Sequence, residues 1–203
     1  MDKYNVYQDM SRRTGGEIYL GVVGPVRTGK STFIKRFMEL VVLPGMQDAN
    51  EKERTIDELP QSAAGRTIMT TEPKFVPKEG AVVRFSNQET GRIRLIDCVG
   101  FLVPEAAGHE EGARERMVKT PWSEEEMSFA KAAEMGTDKV IREHANIGIV
   151  VTTDGSFGDI PADNFKGAEQ KTVDACKKAG KPFIILLNPA KPEAPETKEL
   201  AVK

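Results

Sequence analysis

Cysteine is scarce in this chain of 203 residues: Cys98 and Cys176 are the only two, far apart and without a CxxC partner. A disulfide framework and a cysteine-based zinc site are therefore excluded, and two reduced thiols of a cytosolic protein are expected. His109 and His144 stand alone, and neither has the spacing of a metal-ligand pair. Net charge is lacking too. Twenty-nine Lys and Arg face 31 Asp and Glu, a formal −2, so there is no electrostatic case for nucleic-acid binding. No apolar run approaches the roughly 20 residues of a membrane span. The start, Met1-Asp2-Lys3-Tyr4-Asn5-Val6, has no apolar signal core, and a cytoplasmic location is expected. There is no internal repeat. What is present, 39% hydrophobic and 30% charged residues, suits one ordinary domain with a buried core and a solvated surface.

The apolar patterning alternates between strands and helices. Ile18 to Val23 reads as a strand buried on both faces, and a glycine-rich turn, Gly24 to Gly29, follows. Ser31 to Val41 is predicted as a helix with Phe33, Phe37, Leu40 and Val41 inward, ended by Pro44-Gly45. Residues 46–72 read as a long loop with room for a short helix. Runs at 74–77 and 81–86 precede a turn at Asn87 to Gly91 and a strand at Arg92 to Asp97, antiparallel to the run before it. Residues 101–125 read as irregular. A helix is predicted over Glu126 to His144, a buried strand over Ile147 to Val151, and a helix over residues 163–179 stopped by Gly180. Phe183 to Leu187 is predicted as a last buried strand. Three strands apolar throughout, alternating with helices, predict a three-layer α/β/α fold with a mostly parallel sheet. The boundaries read as an N-terminal segment over 1–16, a domain over 17–188, and an unpacked tail rich in Pro, Lys and Glu over 189–203.

The turn after the first strand carries the chemistry. Gly24-Pro25-Val26-Arg27-Thr28-Gly29-Lys30-Ser31 fits G-x-x-x-x-G-K-[ST] at every fixed position. Such a P-loop wraps backbone N–H groups around phosphate oxygens, and the next helix points its N-terminus at the anion. Lys30 is expected to reach the β- and γ-phosphates, and Ser31 to coordinate Mg²⁺. Gly24, Arg27, Thr28, Gly29, Lys30, Ser31 and Thr32 are the candidate nucleotide-binding residues here; a solvated Arg27 is an equal alternative.

Asp97-Cys98-Val99-Gly100 reads D-x-x-G at the end of an apolar strand. Its acid is a candidate for the Mg²⁺ shell and Gly100 for a γ-phosphate contact. Between the two motifs lie Thr67, Thr70 and Thr71, one of which would hold Mg²⁺ and water in a switch. Spacing does not decide among them; Thr70 and Thr71 are favoured because they lead most directly into the next strand. Catalytic candidates are thus Lys30, Thr70, Thr71 and Asp97, and metal candidates Ser31, Asp97 and Thr70. Two departures matter. Phe101 stands where a GTPase often has a water-orienting Gln. Asn188-Pro189-Ala190-Lys191 keeps the Asn of N-K-x-D but lacks the Asp that reads guanine. Asn188 stays a nucleotide-binding candidate, and ATP, or relaxed base choice, is expected. Thr152-Thr153-Asp154-Gly155 reads as a turn that could face the nucleotide, and Arg66 could approach a phosphate from the switch loop or a neighbouring subunit.

Strings outside these motifs carry a resemblance: Arg13 to Gly24, Asp57 to Gly65, Thr67 to Pro77, Thr120-Pro121-Trp122 and Val151 to Gly155. With the phosphate loop and Asp97 to Gly100, the chain resembles the stage IV sporulation protein A family of endospore-forming bacteria over nearly its whole length. The resemblance implies an ATPase on the translation-factor-like GTPase fold that has lost guanine specificity. It implies ATP and Mg²⁺ as cofactors, and hydrolysis that drives self-assembly of a spore-coat base layer at the outer forespore membrane. Expected partners are further copies of itself, a small amphipathic anchor peptide and other coat proteins, with membrane association only through a partner. By the same resemblance, Thr70 and Thr71 are expected to act in hydrolysis. Family members run several hundred residues further, so a C-terminally truncated chain is expected. Two rivals stand beside this reading: a conventional regulatory GTPase, and a scaffold that binds nucleotide without hydrolysing it.

Overall fold

The computed structural model describes residues 15–60, 71–84, 90–106, 110–111 and 114–202. Arg66, Thr67, Thr70 and His109 lie outside the described residues. A five-stranded sheet in the order β2-β3-β1-β8-β9 forms the middle layer. Its strands are β1 (Glu17–Val23), β2 (Lys74–Arg84), β3 (Thr90–Asp97), β8 (Ile147–Thr152) and β9 (Phe183–Leu187). β1 runs parallel to β3 and β8, β9 runs parallel to β8, and only β2 is antiparallel. The sheet is mostly parallel, as the apolar runs predict.

Alternation along the strands sends side chains to two cores. Ile18 and Val22 of β1, Ile93 and Leu95 of β3, and Ile149 and Val151 of β8 share one cluster with Ile34, Met38 and Val42. Val23, Ile96 and Val150 face the opposite way, against Val140, Ile141 and Cys176. The first cover is α1 (Lys30–Phe37), continued by a π-helical turn over Met38–Val42. The second combines α3 (Phe129–Lys139), a π-helical turn over Val140–His144, and α4 (Ala162–Ala179), which stops at Gly180 as expected. Helices thus cover both faces. Between α1 and β2 lies α2 (Ala49–Asp57).

Several expectations change. The first helix turns a different stripe inward: Ile34, Met38 and Val42 are fully buried, whereas Leu40 is 71% and Val41 55% exposed. Phe33 and Phe37 are half-buried. Two neighbouring stripes of this segment are equally apolar, and the π turn, with its longer repeat, settles the choice toward the i, i+4, i+8 set. The short helix for which the 46–72 stretch has room is there as α2, whose Asp48 side chain accepts from the Glu51 N–H at 2.8 Å. Only Thr55 of α2 is buried, so it has no apolar periodicity to announce it.

The runs at 74–77 and 81–86 merge into β2, with a register shift between Val76 and Ala81. Pro77 is tolerated because β2 is an edge strand. The stretch read as irregular contains β4 (Glu110–Glu111), β5 (Arg114–Glu115) and the hairpin β6 (Met117–Thr120) with β7 (Ser123–Ser128). Residues Glu126 to Ser128 are therefore strand, not helix. Ser128 caps α3 by accepting from the Lys131 N–H at 3.3 Å.

The last strand is not buried. Ile184 and Ile185, on opposite faces of the sheet edge, are 57% and 58% exposed. The tail buries nothing, as expected, but its end is the helix α5 (Pro195–Val202) rather than extended chain. Among the described residues no helix is long and apolar enough to cross a membrane.

Candidate functional site

The parallel strands β1, β3, β8 and β9 end on one side of the sheet, where ligands of open α/β sheets bind. β1 feeds the Gly24–Ser31 loop, β3 ends at Asp97, and β9 is followed at once by Asn188. Three sequence-distant candidates therefore meet at one edge because the strand order brings them there.

The loop is held by contacts that leave no room for side chains. Gly24 adopts φ +135°, and a Cβ there would meet the Val151 carbonyl oxygen at 2.3 Å. Gly100 adopts φ +94°, and its Cβ would lie 2.0 Å from the Gly24 carbonyl oxygen and 2.7 Å from Lys30 Nζ. Phe101 N–H donates to the Gly24 carbonyl at 3.2 Å, and Val26 N–H to the Phe101 carbonyl at 2.9 Å. The D-x-x-G glycine is thus sewn onto the loop. Arg27 also takes a left-handed backbone, φ +66°, and its side chain is exposed.

Inside the loop, Lys30 Nζ donates to the Pro25 carbonyl at 2.5 Å, and Thr28 Oγ1 donates to the same oxygen at 3.0 Å. Lys30 is only 5% exposed. Burial lowers its pKa, opposed by Cys98 and Asp97. From behind, Asn188 Nδ2 donates to the Thr28 carbonyl at 3.0 Å, and its backbone N–H to Thr152 at 2.9 Å. Ser31 Oγ donates to Asp97 Oδ2 at 2.7 Å, while the buried Asp97 Oδ1 has no partner. Burial raises the Asp97 pKa, opposed by the Ser31 hydroxyl, Lys30 and Lys74. A hard oxygen pair with one unsatisfied buried carboxylate oxygen fits a divalent cation shared with phosphate and water. Among the described residues no cluster of three or more His, Cys, Asp or Glu could hold a metal alone.

Most predicted residues come together here: Gly24, Thr28, Gly29, Lys30, Ser31, Asp97, Gly100 and Asn188. Thr32 lies on the exposed side of α1. Thr71 is 6% exposed and its carbonyl packs on Gly136 of α3. Thr152 bonds Glu169, Thr153 and Asp154 cap their own turn, and Ser156 Oγ accepts from the Ala190 N–H at 2.7 Å. That motif thus builds a local turn. His144 sits edge-on to Phe75. The Pro25 carbonyl and Phe101 backbone escaped sequence reasoning because main-chain groups leave no residue-type signal.

The profile of the stage IV sporulation protein A ATPase domain matches residues 1–203. The chain belongs to the stage IV sporulation protein A family. Stage IV sporulation protein A of Bacillus subtilis is 54% identical over 200 residues, covering 98% of this chain and 41% of the relative. Its namesake from Bacillus anthracis is 53% identical over 200 residues, with the same coverage. That of Clostridioides difficile is 51% identical over 196 residues, covering 97% of this chain and 40% of the relative. The chain thus spans about two-fifths of the length of these stage IV sporulation proteins A, over the stretch that the family's ATPase-domain profile matches.

Proposed function

We propose that this chain hydrolyses ATP to ADP and phosphate in a Mg²⁺-dependent reaction at the Gly24–Ser31 loop, as a P-loop hydrolase of translation-factor-like type. The observation that carries the reading is the Ser31–Asp97 pair, with Asp97 Oδ1 buried and unsatisfied, beside Lys30 and Gly100. Lys30 lies within the loop and would exchange the Pro25 carbonyl for phosphate oxygens. That exchange gives its buried charge an anionic partner in place of a neutral one. The Gly24–Gly29 backbone would present its N–H groups to phosphate, and α1 its N-terminus. Ser31 and Asp97 would hold Mg²⁺, which when bound neutralises charge on the phosphates.

Phe101 is 6% exposed and packs with Val26 and Phe165, so it does not orient water. Thr70 or Thr71 would take that task, and Thr70 would be a further ligand for Mg²⁺. Base choice follows from the β9 end. The Asn188 amide braces the Thr28 carbonyl, and Lys191 occupies the position of the guanine-reading carboxylate. A site without that carboxylate has no acceptor for guanine N1–H and N2–H₂, which favours ATP. In the longer protein, we assign the hydrolysis to driving self-assembly of a coat scaffold at the forespore surface. An amphipathic anchor peptide and other coat proteins are its partners there.

The test compares phosphate release from ATP and GTP by the purified chain with Mg²⁺. Turnover of ATP at least tenfold above GTP is expected. Preference for GTP overturns the base assignment, and binding of both without release of phosphate overturns the hydrolase assignment.

A further inference from the structure

Helix α3 carries a glycine in its interior, where glycine is among the poorest residues for helix stability. Gly136 is buried. A Cβ built on it would lie 2.8 Å from the Thr71 carbonyl oxygen and 3.8 Å from the Cη2 and Cζ2 atoms of Trp122. The missing side chain is therefore replaced by the backbone carbonyl of Thr71, with the indole edge beside it. The next residue, Thr137, is fully buried; its hydroxyl donates to the Ala133 carbonyl at 2.8 Å and lies 3.8 Å from Cys98 Sγ. Cys98 follows Asp97 directly. Consecutive residues of one helix thus touch the two segments that bear Thr71 and Asp97. At the turn of the β6–β7 hairpin, the buried Thr120 Oγ1 and Trp122 Nε1 lack hydrogen-bond partners. Buried polar atoms left unpaired are rare where packing alone is served.

We propose that Gly136, with Trp122, is a positioning residue for ATP hydrolysis: the helix notch sets how close Thr71 sits to the Asp97 end of β3. This rests on the hydrolase reading above. A Cβ at 2.8 Å from a backbone oxygen must displace it by several tenths of an ångström, because ordinary Cβ contacts begin near 3.4 Å. Displacements of that size in reacting groups reduce turnover more than they reduce binding of a phosphate chain gripped elsewhere.

Gly136→Ala is measured in the 203-residue chain by phosphate release and, separately, by titration of Mg·ATP. A fall in kcat of at least tenfold, with ATP affinity within twofold of wild type, is expected. A merely structural glycine would shift thermal stability and leave kcat alone. Should Gly136→Ala not fold, Trp122→Ala is expected to give the same split between kcat and affinity, with Trp122→Phe recovering most of the turnover. Wild-type kcat in the variant that folds overturns the inference while ATP hydrolysis stands. A wild-type chain releasing no more phosphate than Lys30→Ala overturns the hydrolase reading and this inference with it.

Discussion

Gly100→Ala probes how the D-x-x-G segment is joined to the phosphate loop. The new methyl would sit 2.0 Å from the Gly24 carbonyl oxygen, more than 1 Å inside a normal carbon–oxygen contact of about 3.3 Å. Three costs follow. Holding a non-glycine residue at φ +94° costs about 1 kcal/mol. Forcing apart two packed backbone segments costs about 1–3 kcal/mol. Loss of the Phe101 N–H to Gly24 carbonyl hydrogen bond costs about 1 kcal/mol. Together they predict a loss of about 3–5 kcal/mol, a drop in Tm of roughly 6–20 °C for a domain of this size. Gly158→Ala is the matched control. Gly158 also has a positive φ, +81°, but nothing lies within 4 Å of its Cβ position, so about 1 kcal/mol is expected. Urea unfolding followed by circular dichroism gives both losses on one scale. Gly100→Ala losing no more than Gly158→Ala would refute the close approach of the two motifs.

Other outcomes follow from the buried charges. Burial raises the Asp97 pKa, so its contribution to stability is full below the ordinary aspartate range and is lost as pH rises through the raised value. Asp97→Asn removes that loss: the nucleotide-free chain is expected to gain at least about 2 °C in Tm near pH 7, while Mg²⁺-dependent turnover disappears, and a lower Tm would contradict the burial argument. Burial pushes the Cys98 and Cys176 thiols up to about 11. Neither is expected to react with iodoacetamide at pH 7.5 in the native chain, and both should react in urea; rapid native alkylation of Cys98 would refute its enclosure beside Asp97.

Much of the site was legible because its chemistry needs fixed residue types at fixed spacing. G-x-x-x-x-G-K-S announced the loop, and the strand ending in Asp97 announced its partner. Their meeting could be anticipated, since parallel strands of one sheet finish on the same side. The fold was less evenly legible. β1 and β8 show as apolar runs and β3 as an alternation that ends at Asp97, but α2 and β7 are too polar to leave a period. The first helix offered two apolar stripes one residue apart, and the choice between them rested on a π turn that no residue type marks. β9 reads as fully buried from Phe183-Ile184-Ile185-Leu186-Leu187, yet it is the sheet edge with two exposed isoleucines, because apolar content records what a strand is fit to pack against and not whether that cover is present. Gly136 is the residue least visible in advance: a glycine in a helix pattern usually lowers the case for the helix, and here it marks where another segment docks.

Lys30 is the side chain on which nucleotide binding at the Gly24–Ser31 loop depends most. Phosphate release from Mg·ATP is to be measured for the wild-type chain and Lys30→Ala at equal concentration, alongside ATP titrations of both. Steady release by the wild type, with both affinity and release lost by at least tenfold in the variant, is the predicted result. Equal ATP affinity in the two proteins would contradict the assignment of the Gly24–Ser31 loop as the nucleotide site.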